Sequence, residues 1–151
     1  MKTKDLLVAA LANGSVIDHI PCDRLFTIAK LLELEKSENP VTIGNNLESK
    51  KMGKKGLIKV ADKYFTDQEL SRLSVVCPDM QLTVIRDYEV TEKREIALPD
   101  SLTDVVQCVN PVCITNNEPM LTRFHFLGKE RGTLQCHYCN REINLSDVKL
   151  V

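Results

Sequence analysis

Four cysteines carry the clearest chemistry in this chain. Cys108 and Cys113 form a Cys-x4-Cys pair in CVNPVC, Cys136 and Cys139 a Cys-x2-Cys pair in CHYC, and 22 residues separate the pairs. Short spacing lets both sulfurs of a pair reach one ion from a single turn. Four thiolates at about 2.3 Å in a tetrahedron suit zinc and close its shell, so the expected role is structural rather than catalytic. Ligand type alone leaves a rubredoxin-like iron or iron–sulfur site open. Four reduced, unligated thiols are the plain alternative, and a redox role for CHYC lacks thioredoxin-like surroundings. Cys22 and Cys77 stand apart and read as small buried or half-buried apolar residues. His125 and His137 share this half of the chain. Because four cysteines already complete a shell, both histidines read as surface or packing residues.

A second group is more scattered. GSVIDHIP, residues 14 to 21, reads as a strand near a core, yet an acid and an imidazole, Asp18 and His19, sit together inside it. One of two consecutive strand residues normally points inward, which makes the pair an odd choice for filler. Lys59 interrupts the apolar run LIKVA, and Lys93 follows the last strand of the first half. Cations and an imidazole converging on a sheet face could hold phosphates, leaving a carboxylate for ribose hydroxyls. Each residue taken singly is an ordinary surface residue. No nucleophile–base pair, P-loop or dinucleotide fingerprint occurs, and the lysines of KKMGKKG read as a solvated loop.

The elements that must position these residues follow from periodicity. The chain has 151 residues, 43% hydrophobic and 27% charged, with a net charge of −1. That suits a soluble protein of one or two small domains and exerts no global pull toward nucleic acid or membrane. No apolar run approaches the roughly 20 residues that span a bilayer. The start, MKTKDLLVAALANGS, contains Asp5 and too short an apolar stretch for a signal peptide, so it reads as part of the fold. A cytoplasmic location is expected, and clustered cysteines there argue for metal over disulfides.

Strand 14–21 leads to a helix over 23–36, with Leu25, Ile28, Ala29 and Leu32 on one stripe and Asp23 as N-cap. Strands over 41–47 and 57–65 follow, the polar stretch ESKKMGKKG linking them. TDQE at 66–69 is a capping box opening a helix that must end near Cys77, because Pro78 follows. QLTVIRDYEV (81–90) reads as one strand, and TEKREIALPDSLTD as a linker. The order β-α-β-β-α-β is the ferredoxin-like pattern, with both helices on one sheet face and the other face free. The fold class expected is α+β: a ferredoxin-like domain over 1–100, then a small antiparallel β, zinc-binding domain over 101–151. Some fifty residues make a poor core alone, and the metal supplies the rest. Between the cysteine pairs, alternation and a turn at 128–132 predict a β-hairpin.

The set GSVIDHIP, VTIGNNL, KKMGKKGLIKV, RDYEV and the terminal Cys-x4-Cys…Cys-x2-Cys, in register from about residue 14 to 142, resembles the regulatory chains of aspartate carbamoyltransferase. The resemblance implies a non-catalytic subunit whose first domain binds CTP or ATP, with UTP reinforcing CTP. It also implies homodimers through that domain and docking of the zinc domain on the catalytic chain, giving allosteric control of the first committed step of pyrimidine biosynthesis. Carried onto matching positions, Asp18, His19, Lys59 and Lys93 form the nucleotide site. Lys59 serves ribose and base, and His19 and Lys93 serve phosphates. Ala10, Leu11 and Val16 line the base pocket, and Tyr88 and Val90 offer backbone groups to the base. The family often has asparagine where this chain has Thr83, and Asp5 falls where a lysine is expected. Asn110 matches a position that contacts the catalytic chain, and Tyr138 fits the family's YC pattern. The rival reading is a zinc-ribbon nucleic-acid-binding protein on a ferredoxin-like platform. It lacks the aromatic pair on central strands that base stacking needs.

Overall fold

Alternation along the first strands decides which face of the first sheet is buried. The computed structural model describes residues 10–151. The segment around Asp5 therefore lies outside the described residues. Strand β1 (Gly14–Ile20) is followed by α1 (Leu25–Leu31), β2 (Val41–Ser49), β3 (Gly53–Ala61), α2 (Asp67–Val76), β4 (Met80–Arg86) and β5 (Glu89–Ile96). The five strands form one antiparallel sheet in the order β2-β3-β1-β4-β5. The first four strands and two helices make the ferredoxin-like unit, and β5 extends it by one edge strand.

Ile17, Ile58, Leu82 and Val84 project from the sheet into a core shared with Leu25 and Ile28 of α1 and Leu70 and Leu73 of α2. Burying each such side chain contributes about 1.5–3 kcal/mol. Both helices thus lie on one face and the other is left without a helical layer. Gly14 opens β1 with φ +140°, and a Cβ there would press on the Val60 carbonyl, so only glycine fits.

Several boundaries differ from those read in the sequence. The first helix is shorter than 23–36: Leu32 caps it, Glu33 takes a left-handed conformation, and only a 3-10 turn over Leu34–Lys36 continues. Its N-cap is Arg24, not Asp23, and carries no side-chain cap. Strand β3 begins at Gly53 and ends at Ala61, so much of ESKKMGKKG belongs to a β2–β3 hairpin, and 62–65 is a connection. QLTVIRDYEV is two strands rather than one. Asp87 and Tyr88 both have positive φ (52° and 66°) and close a two-residue hairpin in which Arg86 pairs with Glu89. The expected linker is therefore largely strand, with 91–96 in β5 and 101–103 in the next strand, and only residues 97–100 separate the two.

The second half holds β6 (Ser101–Thr103), β7 (Val106–Gln107), β8 (Arg123–Phe126), β9 (Thr133–Cys136), β10 (Glu142–Asn144) and β11 (Lys149–Leu150). Four strands form an antiparallel sheet, β10-β9-β8-β6, with β11 paired to β7. The β8–β9 hairpin lies where alternation predicts it. Leu102, Val105, Phe124, Leu134 and Ile143 pack with three of the clustered cysteines in a second core. Helix α2 touches both cores: Val75 enters the second, Gln68 Nε2 donates to the Thr103 and Asp104 carbonyls (3.2 and 2.9 Å), and Arg72 donates to the Val151 carbonyl at 3.2 Å.

The capping box on α2 forms as expected, with Thr66 accepting from the Glu69 N–H and Glu69 accepting from the Thr66 N–H. Burial alone would push the Glu69 carboxyl up, but the Thr66 N–H and Lys63 outweigh it and hold it below its ordinary range. Thr66→Ala is expected to cost about 1 kcal/mol, read as a lower urea midpoint for the first sheet. Because the folded-state value of Glu69 is depressed, its contribution is present above about pH 4.3 and is lost as pH falls through the folded-state value. An unchanged midpoint in Thr66→Ala would show that the cap carries no stability.

Candidate functional site: a charged row on the open sheet face and a four-thiol cluster

Register places the dispersed residues together. Across the sheet, Thr42 pairs with Lys59, Lys59 with Val16, Val16 with Thr83, and Thr83 with Lys93. Directly opposed residues share a face, and each of Lys59, Val16 and Thr83 is one residue from a core-facing neighbour (Ile58, Ile17 or Leu82). The row therefore lies on the helix-free face. From Lys59 on β3 to Lys93 on β5 it crosses three strand spacings, about 14 Å. Val90 pairs with Ile85 and joins the same face, 60% exposed. Because the two-residue turn intervenes, it stands on the face opposite to Leu82, Val84 and Arg86.

The Asp18–His19 oddity has a geometric cause. Between Ile17 and Ile20 the β1–β3 register shifts, and His19 has φ 58°. Two core residues are thus separated by two positions instead of one, and both Ile17 and Ile20 are fully buried. A β-bulge absorbs the extra residue and spares Asp18 and His19 the inward position that strict alternation requires. The Asp18 carboxylate accepts from the His19 N–H at 2.6 Å and pairs with Lys55 Nζ at 2.9 Å. Lys55 is the residue the sequence reading missed, because KKMGKKG looked like a solvated loop. Its signal would have been the hairpin register that puts it in β3. Burial lowers the Lys59 ammonium, and the attraction of Asp18 partly restores it. Asp18 thus stands between two lysines.

Of the remaining predicted residues, Tyr88 lies in the β4–β5 turn, and Ala10 and Leu11 immediately precede residues bonded to it. Ala10 is exposed and Leu11 half-buried. The next residues are tied to the hairpin, Ala12 accepting from the Tyr88 N–H at 2.8 Å and Asn13 Oδ1 accepting from the Asp87 N–H at 3.1 Å. Tyr88 is 73% exposed, and with its N–H engaged only its carbonyl side is left to read a base.

In the second half the four sulfurs lie within 4.8 Å of one another. Cys108–Cys139 are 3.7 Å apart and Cys113–Cys136 3.8 Å. A tetrahedral ion with bonds of about 2.3 Å sets its sulfurs about 3.8 Å apart. The two turns also aim donors at the sulfurs. Burial pushes the Cys108 thiol up to about 12, against a lowering hydrogen bond from the Asn110 backbone. Burial likewise raises Cys136, opposed by the Tyr138 and Cys139 backbones. At Cys139 the Arg141 backbone, the Asn110 side chain and neighbouring thiols outweigh burial and hold it at about 7. Donors that favour thiolate over thiol are what a cation site requires. Asn110 thus serves the turn itself, its Oδ1 also accepting from Val112 N–H at 3.1 Å. Around these turns Val109, Val112, Ile114, Leu121 and Tyr138 are exposed. His137 does not compete as a fifth ligand; it bonds instead to His125.

Cys113→Ser is expected to release the ion and to abolish amide-exchange protection over β6–β10 while β1–β5 remain protected, because for so small a unit metal binding is folding free energy. Protection retained over β6–β10 in that variant would contradict the assignment.

Comparison with known proteins agrees with this arrangement. Residues 6–97 match the family model for the aspartate carbamoyltransferase regulatory chain, allosteric domain, and residues 100–149 match that for its metal binding domain. The chain is 60% identical over 146 residues to the aspartate carbamoyltransferase regulatory chain of Phocaeicola vulgatus, covering 97% of this chain and 94% of that one. It is 57% identical to that of Parabacteroides distasonis over 97% and 96% of the two chains. The regulatory chain of Pyrococcus abyssi is 35% identical over 95% and 96%. The chain belongs to the family of aspartate carbamoyltransferase regulatory chains and is a non-catalytic regulatory subunit with an allosteric and a metal-binding domain.

Proposed function

We propose that the helix-free face of the first sheet is the effector site of this subunit and that it takes CTP or ATP, with UTP able to reinforce CTP. The supporting observation is the single row Lys59–Val16–Thr83–Lys93, with Asp18 and His19 brought beside it by the bulge. Lys59 serves ribose and base, His19 and Lys93 serve phosphates, and Asp18 takes ribose hydroxyls. Val16 with Ala10 and Leu11 lines the base side, and Tyr88 and Val90 contribute backbone groups. Desolvation lowers the half-buried Lys59 ammonium and Asp18 opposes it, and an anionic ligand acts in the same direction as Asp18. Lys55, paired with Asp18, keeps that carboxylate from repelling the phosphates.

The division between the two functional units falls near residue 100. The thiolate cluster holds one zinc ion, since tetrahedral zinc–thiolate geometry reproduces the observed sulfur spacing. The apolar surface around its turns, with Val112 83% exposed, docks on the catalytic chain, which is the partner of a regulatory chain of this family. Nucleotide occupancy then biases the assembly that performs the first committed step of pyrimidine biosynthesis, which is coupling between distinct sites. Free cysteines, all six unpaired, suit the reducing cytoplasm. No helix among the described residues is long and apolar enough to cross a membrane.

Homodimers form through the first domain. The sheet's two edges differ: β5 carries Glu89, Glu92, Lys93, Arg94 and Glu95, a guarded edge, whereas β2 exposes Thr42 and Ile43 with Phe26 of α1 68% exposed. Charge blocks strand addition, so β2 is the pairing edge.

One preparation tests these assignments. Calorimetric titration of CTP and ATP into the purified chain is expected to show saturable binding, weakened by about 1.5–3 kcal/mol in Lys59→Ala and in Lys93→Ala, as for hydrogen bonds to charged groups. The same sample is expected to contain one zinc per chain and to sediment as a dimer. Nucleotide binding that ignores both substitutions would overturn the effector site. A different metal, or a monomer, would overturn the corresponding assignment.

A further inference from the structure

The helix-bearing side of the first sheet is not covered along its whole width. Strand β5 packs Ile96 into the first core, but ahead of it the side chains of β4 and β5 on that side meet the connection 62–65 instead of a helix. A trough of about 450 Å3 results, with Leu82 and Val84 as floor, Tyr64 and Phe65 as one wall, and Arg86 and Arg94 among its lining. It lies on the face opposite to the Lys59–Val16–Thr83–Lys93 row. We propose that this trough is a second ligand site, for a small planar aromatic monocarboxylate.

The two guanidinium groups carry the argument. Arg86 lies over the Tyr64 ring, 4.2 Å from its centroid, so its partner is an aromatic face and not a carboxylate. Stacking fixes the guanidinium plane and leaves its N–H edge free to donate. Arg94 meets Asp67 at 3.6 Å, but that carboxylate is 97% exposed. Solvent screens such a contact, and a bound carboxylate displaces it readily. Register sets Arg94 opposite Leu82, with Arg86 four residues further along β4, about 13 Å. Two long side chains can reach one ligand lying between them.

Shape and charge select the class of ligand. The volume falls within the range of about 300–1,000 Å3 usual for small-molecule sites, where apolar walls meet a few polar groups. A flat ring packs on Phe65 and Val84 beside the Tyr64–Arg86 stack, and its carboxylate accepts from the arginines as a charge-assisted, two-oxygen acceptor. Glu92, opposite Val84, also lines the trough. Two arginines against one glutamate leave a single positive charge, which a monoanion balances and a nucleoside triphosphate exceeds. The β5 wall is tied to the floor at Thr91, the residue left over by the register shift, whose Oγ1 donates to the Val84 carbonyl at 3.3 Å. Walls held in place before binding reduce its ordering cost.

Titration of 2-naphthoate into the full chain with its thiolate site loaded tests this, read by calorimetry and by methyl and backbone resonances. The expected result is one saturable site per chain that shifts Tyr64, Leu82 and Val84 and leaves Lys59 unshifted. Affinity is expected to fall at least about tenfold in Arg86→Gln and in Arg94→Gln, and by a similar factor for the uncharged 2-naphthamide. Both arginines are exposed, so neither substitution threatens the fold. Absence of saturable binding, affinity retained in either arginine variant, equal binding of 2-naphthamide, or shifts centred on Lys59 and Lys93 would each overturn the proposal.

Discussion

Strand β1 is hydrogen-bonded along both edges, and that double pairing constrains everything on the open face. A strand held by β3 and β4 at once cannot rotate a side chain out of its assigned face without breaking a ladder. From Gly14 to Ile17 the alternation is strict. Ile17 and Ile20 must both be buried, however, and they are an odd number of residues apart. A bulge with His19 in the left-handed region resolves the conflict while preserving pairing to β4 as far as Asp18. The carboxylate and imidazole owe their position to this local irregularity. A left-handed conformation at a non-glycine residue costs about 1–3 kcal/mol and persists only where surrounding packing enforces it, a pattern common at ligand sites.

The two units solve the same problem by different means. The first buries enough aliphatic surface between a sheet and two helices to stand on its packing. The second places three cysteines within its small apolar cluster, so ligand and core residue coincide. Helix α2 belongs to both. Leu70 and Leu73 enter the first core, while Gln68, Arg72 and Val75, one stripe at helical spacing, meet the second unit. A shift of α2 against the sheet is thereby felt near β6 and β7, immediately before Cys108.

Much of this was legible in the sequence, and the remainder was hidden for identifiable reasons. The capping box at Thr66 and Glu69, the stop at Pro78 and the cysteine spacing are local signals, and each acts within a few residues. Lys59 was conspicuous because a cation inside an apolar run is rarely neutral. The β4–β5 hairpin was missed because Asp87–Tyr88 is not an Asn-Gly or Asp-Gly turn, and apparent alternation runs on through it. β5 itself resembled a linker, since the charges that guard an edge strand are the composition of a loop. Lys55 and the Asp18–His19 bulge depend on cross-strand register, which no local window contains. The row Lys59–Val16–Thr83–Lys93 joins four strands and exists only once they are paired.

Central to this account is that the open face, and no other surface, receives the nucleotide. Backbone and methyl resonance mapping during addition of ATP reads that directly. The account predicts perturbations concentrated at Val16, Asp18, His19, Lys59, Thr83, Val90 and Lys93, with the core-facing residues Ile58 and Leu82 shifting less than their neighbours. Perturbations centred on the helices or on β8–β10, with that row silent, would contradict it.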